Sequence, residues 1–443
     1  VARLRTAGGD RVLFDAMWDP EFARSLLRAI GGRRRLSGPV GQLLASPTPS
    51  FRSLRGSGDG SGLEPSVLQA EHSNSAIVYG DRLLLKLFRR PEEGENPDLE
   101  IGRFLTARGS FRNVPPAAGG LEYRRGQGTG MTIGILQGFV PNEGDAWRYT
   151  LDSLGAYVEE ALARSPEEQE PPRPQTTSLV ELADVEPPPL AAEMMGAYLE
   201  SARLLGQRTA ELHLALAGET TDPAFSPEPF TALHQRSLYQ SMRAVTGSTY
   251  RLVRGLTGQI PQMVQVADLE PEILARSRRI LDHKIEASRI RIHGDYHLGQ
   301  VLYTGRDFVI IDFEGEPARA LSERRIKRTP LRDVAGMLRS FHYAAYTTLF
   351  GPAGGTVGPE NPAFLEPWIL FWYRWVSACF LRSYLDVAVE GDFLPRSRRQ
   401  VDVLLEFMLL EKALYELRYE INNRPDWVKL PIQGILQLLE TPL

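Results

Sequence analysis

The chain has 443 residues, 42% of them apolar and 24% charged, with a formal net charge of -4. That length is too great for one ordinary core and suits two to four subdomains, and the near-balanced, slightly acidic composition gives no electrostatic reason to expect a nucleic-acid partner. A single cysteine, Cys379, excludes an intramolecular disulfide and fits a reducing, cytoplasmic setting, and the longest apolar stretch is interrupted by Glu366, Arg374 and Arg382, so no membrane span is expected.

Residues 1–65 are expected to form a cap subdomain. A strand at "RVLFDAM" is followed by "DPEFARSLLRAIGG", a helix with Asp19 as its cap, Pro20 in its first turn and Gly31 or Gly32 at its end. The basic run "GGRRRL" reads as a solvated face, and "RGSGDGSG" at 55–62 as a flexible turn or linker. Residues 66–141 read as a small mixed lobe. In it "SAIVYGDRLLLKLFRR" makes two strands around a Gly80-Asp81 turn, and "ENPDLEIGRFLTARG" a helix with Asn96 as cap, Pro97 in the first turn and Gly109 past the end. "GGLEYRR" and "MTIGILQGFV" add two strands. Residues 142–443 are expected to be a large, mainly helical lobe, interrupted by proline- and glycine-rich excursions at 165–189 and 351–362. Cys379, in the aromatic helix "FWYRWVSACFLRSYL", reads as a structural thiol. The expected class is α+β, bilobal, with a cleft between the lobes.

The chemistry concentrates in "IHGDYHLGQVLYTGRDFVIIDFEGEP", residues 292–317. Two apolar strands flank the turn "TGRD", and a hairpin of that kind would bring Asp295 and Gln300, before its first strand, near Asp312 at the end of its second. Oxygen donors so clustered suit magnesium. Asp295 stands five residues before Gln300, the spacing at which kinases carry a catalytic aspartate and a metal-binding asparagine, and Asp312 opens "DFE" where kinases have the metal aspartate of "DFG". Two carboxylates beside an apolar hairpin are costly unless a cation balances them, which favours function for Asp295 and Asp312. His293 reads as a loop buttress, and His297 is open between the two roles.

In the small lobe, Lys86 lies mid-strand among leucines. A snorkelling surface lysine is the plain alternative to a phosphate-binding one. Glu100, early in the following helix, could form the Lys-Glu pair that holds a kinase lysine over phosphates, or merely favour the helix N-terminus. No glycine-rich phosphate loop is present; Ser73, Asn74 and Ser75 could supply donors in its place, or form a polar turn. "PNEGDAW" reads as an interlobe hinge, with the backbone of residues 137 to 140, Gln137, Phe139 and Val140 among them, able to meet adenine.

With these residues placed, the sequence resembles the maltokinases, relatives of the aminoglycoside phosphotransferases with a protein-kinase-like fold. The resemblance covers nearly the whole chain. It rests on "SNSAIVYGDRLLLKLFRRPEEGENPDLEIGRFL", "LQGFVPNEGDAW", "HGDYHLGQVL", "IIDFEGEPARALSERRIKRTPLRDVAGMLRSFHYAA" and "LEKALYELRYEINNRPDWV". It is most similar to the maltokinase part of trehalose synthase-maltokinase fusions, and Val1 in place of methionine agrees with excision from one. The resemblance implies transfer of the ATP γ-phosphate to the anomeric hydroxyl of maltose. Asp295 would orient and deprotonate that hydroxyl, Gln300 and Asp312 would hold Mg2+, and Lys86 with Glu100 would bind phosphate. A trehalose synthase domain or subunit is the implied partner. Three departures from the protein-kinase pattern stand out: Gly294 replaces the arginine of "HRD", Gln300 is one methylene longer than asparagine, and Glu314 replaces the glycine of "DFG". Glu314 reads as a structural anion or a further metal-shell group.

On the C-terminal helix "VLLEFMLLEKALYELRYEINN", Leu410, Leu414, Leu417 and Ile421 gather on one side, and Lys412, Tyr415, Glu416, Tyr419 and Asn423 on the other. A solvated Lys412-Glu416 pair explains the charges but not the two tyrosines, whose rings and hydroxyls suit a sugar. The family places its disaccharide on this helix. Asp333 reads as an anchor for the catalytic loop, Arg332 as a local pair, His213 as a satisfied core histidine, and Trp427 as core. A kinase of another sugar, amino sugar or aminoglycoside is the alternative. A non-catalytic module partnering trehalose synthase is the reading from another class.

Overall fold

A computed structural model describes residues 2–56, 63–68, 74–126, 128–164, 171–173, 178–350 and 362–440. Ser73, most of the linker at 55–62, parts of the 165–189 excursion and nearly all of 351–362 lie outside these residues. The chain divides into two compact units, Val1–Asn142 with Val309–Ile326, and Glu143–Phe308 with Lys327–Leu443.

The first unit opens with an antiparallel hairpin, β1 (Ala2–Thr6) and β2 (Gly9–Leu13), and helix α1 (Pro20–Gly31). Asp19 caps α1 by accepting from the Glu21 N–H, as the sequence predicts. Then come β3 (Arg35–Ser37), β4 (Gly41–Pro47), the short α2 (Phe51–Arg55), β5 (Pro65–Leu68), β6 (Ser75–Tyr79), β7 (Leu83–Leu87), α3 (Pro97–Arg108), β8 (Ala117–Arg125) and β9 (Met131–Gly138). Seven strands form one antiparallel sheet in the order β3-β4-β8-β9-β7-β6-β5. The Gly80-Asp81 hairpin is present, and β3 and β4 supply sheet strands from residues to which the sequence assigned none. Ile77, Tyr79, Leu83, Leu85, Leu121 and Leu136 make the buried core with Ile30 and Phe51, and the Tyr79 hydroxyl donates to the Ala23 carbonyl at 2.7 Å, tying α1 to the sheet. On α3 the predicted caps are both made: Asn96 accepts from the Asp98 N–H at 2.9 Å, and Gly109, at φ 64, donates to the Leu105 carbonyl at 3.0 Å.

The second unit is mainly helical. Its elements are α4 (Ala146–Ala163), α5 (Leu179–Leu182), α6 (Pro189–Met195), α7 (Ala197–Ala217), β10 (Glu228–Pro229), α8 (Ala232–Leu256), α9 (Glu270–Arg278), β11 (Ser288–Arg289) and β12 (Val301–Tyr303). The chain passes to the first unit within β13 (Phe308–Ile310), runs there through α10 (Leu321–Arg324), and returns for α11 (Leu331–Phe350), α12 (Pro362–Ala388), α13 (Arg398–Asn423) and α14 (Lys429–Glu440). Helices α7 and α12 pack so closely that a Cβ on Gly206 would lie 2.1 Å from the Phe380 carbonyl oxygen. Trp368, Trp372, Phe380, Tyr384, Leu410 and Leu414 fill the core. Cys379 is buried on α12, which pushes its thiol up to about 11, in keeping with a structural thiol. Among the described residues no helix is long and apolar enough to cross a membrane. The α+β class expected from the sequence is the class observed.

Candidate active site

In the first unit the chemistry centres on Lys86. Strand β7 holds it between Ala76 of β6 and Ile135 of β9, and its side chain is only 14% exposed. The ammonium lies 3.2 Å from Asp98 Oδ2 and 2.5 Å from Glu314 Oε1, and also pairs with Asp312 Oδ1. Burial alone would push this ammonium toward neutrality, but Asp98, Asp312 and Glu314 together hold its pKa above the ordinary lysine value. The snorkelling alternative therefore fails. The Phe313 N–H donates to Asp98 Oδ1 at 3.1 Å and Asn74 Nδ2 to Glu314 Oε1 at 2.6 Å, so the acidic groups are fixed from several directions. Asp312 adopts φ 66, a left-handed conformation uncommon for a side chain other than glycine.

Oxygens of Asp98, Asp312 and Glu314 all lie within 4.8 Å of one another. Three carboxylates around one ammonium leave surplus negative charge, and burial, with the nearby carboxylates opposing Lys86, raises the Glu314 carboxyl above its ordinary value. Hard oxygen donors with surplus negative charge fit a divalent cation such as magnesium. Asp312 belongs to this cluster in the first unit. Gln300 ends a 3-10 turn, Leu298–Gln300, in the second unit.

The expected Lys86-Glu100 pair is not made. Asp98 and Glu100 sit about 200° apart around α3, so only one of them faces Lys86. Glu100 instead receives Arg325 Nη2 on Oε1 at 2.6 Å and Nε on Oε2 at 3.0 Å. Of the other groups read for the nucleotide, the Ser75 hydroxyl accepts from Arg89 Nε at 3.0 Å, the Phe139 N–H donates to the Arg82 carbonyl at 2.8 Å, and the Val140 carbonyl accepts from Asn142 Nδ2 at 2.8 Å. Gln137 lies in β9, between Leu84 of β7 and Ala117 of β8.

In the second unit, Asp295 follows a backbone turn pinned by Asp333. The His293 and Gly294 N–H groups donate to Asp333 Oδ2 and Oδ1 at 2.7 and 2.9 Å, and the Asp295 N–H donates to His293 Nδ1 at 3.4 Å. Gly294 supplies φ 87, which an arginine would adopt only with strain. Behind Asp333, buried His213 places Nε2 3.2 Å from Oδ2 and Nδ1 3.0 Å from the Tyr384 hydroxyl. Burial would raise the Asp333 carboxyl, yet His213, His293 and the Gly294 N–H hold it below the usual carboxylate range. Gly336 lets α11 approach the loop: a Cβ there would lie 2.5 Å from the Tyr296 carbonyl oxygen. His297 caps the 3-10 turn, its Nδ1 accepting from the Gly299 N–H at 3.1 Å. The anchor, buttress and core roles read for Asp333, His293 and His213 are those observed.

Beside this loop, Lys412 of α13 places Nζ 3.8 Å from Asp295 Oδ1 and 5.0 Å from the Tyr415 ring centre. Tyr415 and Tyr419 stack, with centroids 6.4 Å apart and planes 26° from parallel. The solvated Lys412-Glu416 pair is not formed. Glu416 is buried and receives Arg339 Nε at 2.9 Å, while Lys412 turns to Asp295. Arg332 pairs across helices with Glu411 at 2.7 Å. Glu420, also buried, accepts from Arg424 and from the Tyr343 hydroxyl. Trp427 is half-buried, with Arg424 4.8 Å from its ring centre. Sequence reasoning missed Asp98 and Arg339. Asp98 sits in the capping turn of α3, where an acid is ordinary; Arg339, inside the apolar run "VAGMLRSFHYAA", was the visible anomaly.

No family model matches the chain. It is 24% identical to a glucosamine kinase of Streptacidiphilus jiangxiensis over 378 residues, covering 83% of this chain and 72% of that protein. It is 22% identical to a glucosamine kinase of Mycolicibacterium smegmatis (strain ATCC 700084 / mc(2)155) over 380 residues, 84% of this chain and 79% of that one. A solved glucosamine kinase in complex with glucosamine, ADP and inorganic phosphate aligns with a TM-score of 0.67 at 19% identity, covering 99% of this chain and 87% of that chain. The chain shares that fold. The similarity is to sugar kinases, and the narrower likeness to maltokinases bears only on the proposal that follows.

Proposed function

We propose that this protein is an ATP-dependent sugar kinase and that maltose, phosphorylated at its anomeric hydroxyl, is its acceptor. The observation that carries the kinase reading is the cup of Asp98, Asp312 and Glu314 around Lys86. Such a cup can exchange internal ion pairing for a metal-nucleotide complex, with Lys86 turning to phosphate oxygens and the carboxylates to magnesium. Asp312 and Glu314 would hold the ion, with Gln300 as the further ligand implied by the maltokinase resemblance; bound magnesium would offset charge on the phosphates. Asp295 accepts the proton as the sugar oxygen bonds to the γ-phosphorus and the bond to the ADP oxygen breaks. The Asp333 anchor holds Asp295 in place for that transfer.

Maltose is supported by the α13 wall. Lys412 beside Asp295 disfavours a second cation there, and the Tyr415-Tyr419 stack offers an aromatic surface with hydroxyl tips to a disaccharide. Glucosamine is the second reading, supported by the two curated relatives. A trehalose synthase domain or subunit is the partner that fits the maltose reading, and the lone buried thiol fits a cytoplasmic setting. The test is ADP release with Mg-ATP against maltose, glucosamine, glucose, trehalose and kanamycin, with phosphorus NMR of the product. An anomeric phosphate from maltose is the expected result. Turnover with glucosamine alone replaces the acceptor, and folded protein silent with every sugar removes the kinase reading.

A further inference from the structure

We infer that Glu100 and Arg325 form a positioning latch that holds the carboxylate cup in a metal-competent shape, an inference that rests on the kinase reading above. Helix α3 presents two carboxylates in opposite directions, and the returning segment 312–325 is fastened to both. Its beginning is held at Asp98, which accepts the Phe313 N–H and pairs with Lys86. Its end is held at Glu100, through the two parallel bonds of the Arg325 guanidinium. Between them, the Leu321 N–H donates to Glu92 Oε2 at 3.2 Å, Arg324 pairs with Glu92, and the Leu321 side chain closes over Gly94. The segment therefore leaves α3 at one face and comes back to it at the other.

Two observations make this fastening more than a surface ion pair. Glu100 is buried to 7% exposure, and Glu95 beside it has its carboxyl raised, first by burial and then by the Glu100 charge. Without Arg325 the two acids would repel at the start of the helix that carries Asp98. Asp312, moreover, keeps a left-handed backbone, which persists only where the surroundings over-determine it. Asp98 fixes the residue just after Asp312, and the Arg325 end keeps the rest of the segment from relaxing that strain. Arg325 acts through Glu100 and α3. Its loss weakens divalent-cation binding although every carboxylate of the cup remains.

Mn2+ binding to the full chain, with and without ADP, tests this by electron paramagnetic resonance well below each variant's melting temperature. Arg325→Ala is expected to weaken Mn2+ affinity by about tenfold or more, the scale seen when an outer-shell partner of a metal site is lost. Glu100→Ala should do the same, and the double variant should be no worse than either single one, because one latch is removed once. Arg325→Lys, a milder change if the alanine variant fails to fold, should fall between. Arg319→Ala, which breaks a pair with Glu316 inside the same segment, should leave the affinity unchanged. Wild-type affinity in both the Arg325→Ala and Arg325→Lys proteins, or additive losses in the double variant, would overturn the latch alone. Wild-type protein that binds neither Mn2+ nor Mn-ADP would instead overturn the metal-cup reading on which it rests.

Discussion

The Lys86 cup and the wall around Asp295 both gather buried and half-buried charge, yet they balance it differently. At Lys86 three carboxylates share one ammonium, and the backbone of Asp312 is strained to let them meet. Along the α13 wall beside Asp295 the charges come in pairs: Lys412 with Asp295, Arg332 with Glu411 and Arg339 with Glu416. A surplus of buried negative charge is tolerated where a cation can arrive, whereas a set of internally matched pairs leaves little net field for a charged ligand. In the proposed function, the first balance would meet a metal-nucleotide complex and the second a neutral sugar.

The sharpest way to break this comparison is to remove the carboxylate that the wall serves. Asp295→Asn should lower turnover by about a thousandfold or more, the upper part of what a positioned base contributes, while leaving the fold and ADP binding in place. ADP release and calorimetric ADP titration of the same preparation separate these effects. Near-wild-type turnover would remove Asp295 from the chemistry.

Lys86→Met attacks the other side. It should reduce turnover by about a hundredfold if Lys86 positions the phosphates as proposed, and its effect on stability should depend on pH in a definite direction. The Glu314 carboxyl is already raised by burial and by its acidic neighbours, and losing the ammonium raises it further. A carboxyl with a raised folded-state pKa contributes stability that is full below its unfolded value and is lost as pH rises through the folded value. Relative to the wild type, the methionine variant should therefore lose melting temperature as pH rises above the ordinary glutamate range. A constant difference as pH rises would mean that Glu314 titrates independently of Lys86.

A third experiment asks whether the matched pairs are as balanced as they look. Arg339 is buried and charged; burial opposes its ionisation, and Glu416 more than restores it. Arg339→Ala leaves Glu416 without its partner and should cost about 3 to 5 kcal/mol in denaturant unfolding. Arg339→Met with Glu416→Leu should recover most of that loss, because neither charge is then stranded. Failure of the double variant to recover would show that packing around the guanidinium, rather than charge balance, holds the wall.

The same contrast explains what could be read in advance. Local signals announced α3 in full, because Asn96, Pro97 and Gly109 act on their own neighbours, and the Gly80-Asp81 hairpin for the same reason. Lys86, Asp295 and Asp312 were legible because charge inside an apolar pattern costs energy that only a partner offsets. Which partner each acquires was not legible. Asp98 and Glu100 point about 200° apart around one helix, and the arginine that claims Glu100 lies 225 residues away in the chain. Glu416 was assigned to Lys412 by helical spacing, but spacing carries no information about Arg339, which reaches it from another helix. Strands β3 and β4 escaped notice because "RLS" is too short, and "GQLLASP" too weakly alternating, to mark a strand before the sheet exists.

The smallest expected effect bears on the aromatic half of the wall. Tyr419 is 44% exposed, stacks on Tyr415 and lies 5.5 Å from the Arg424 guanidinium carbon. Tyr419→Phe keeps the ring and removes one hydroxyl, so it should raise the apparent KM for maltose by about threefold to tenfold, the value of a single hydrogen bond, with little change in the ATP value or in kcat. Tyr419→Ala removes the stacked surface as well and should raise the maltose KM further. If the phenylalanine variant instead shifts the ATP value more than the sugar value, the sugar sits elsewhere. If both variants leave maltose untouched while glucosamine is the sugar turned over, a ring surface is unnecessary and the charged residues of the wall must select the acceptor.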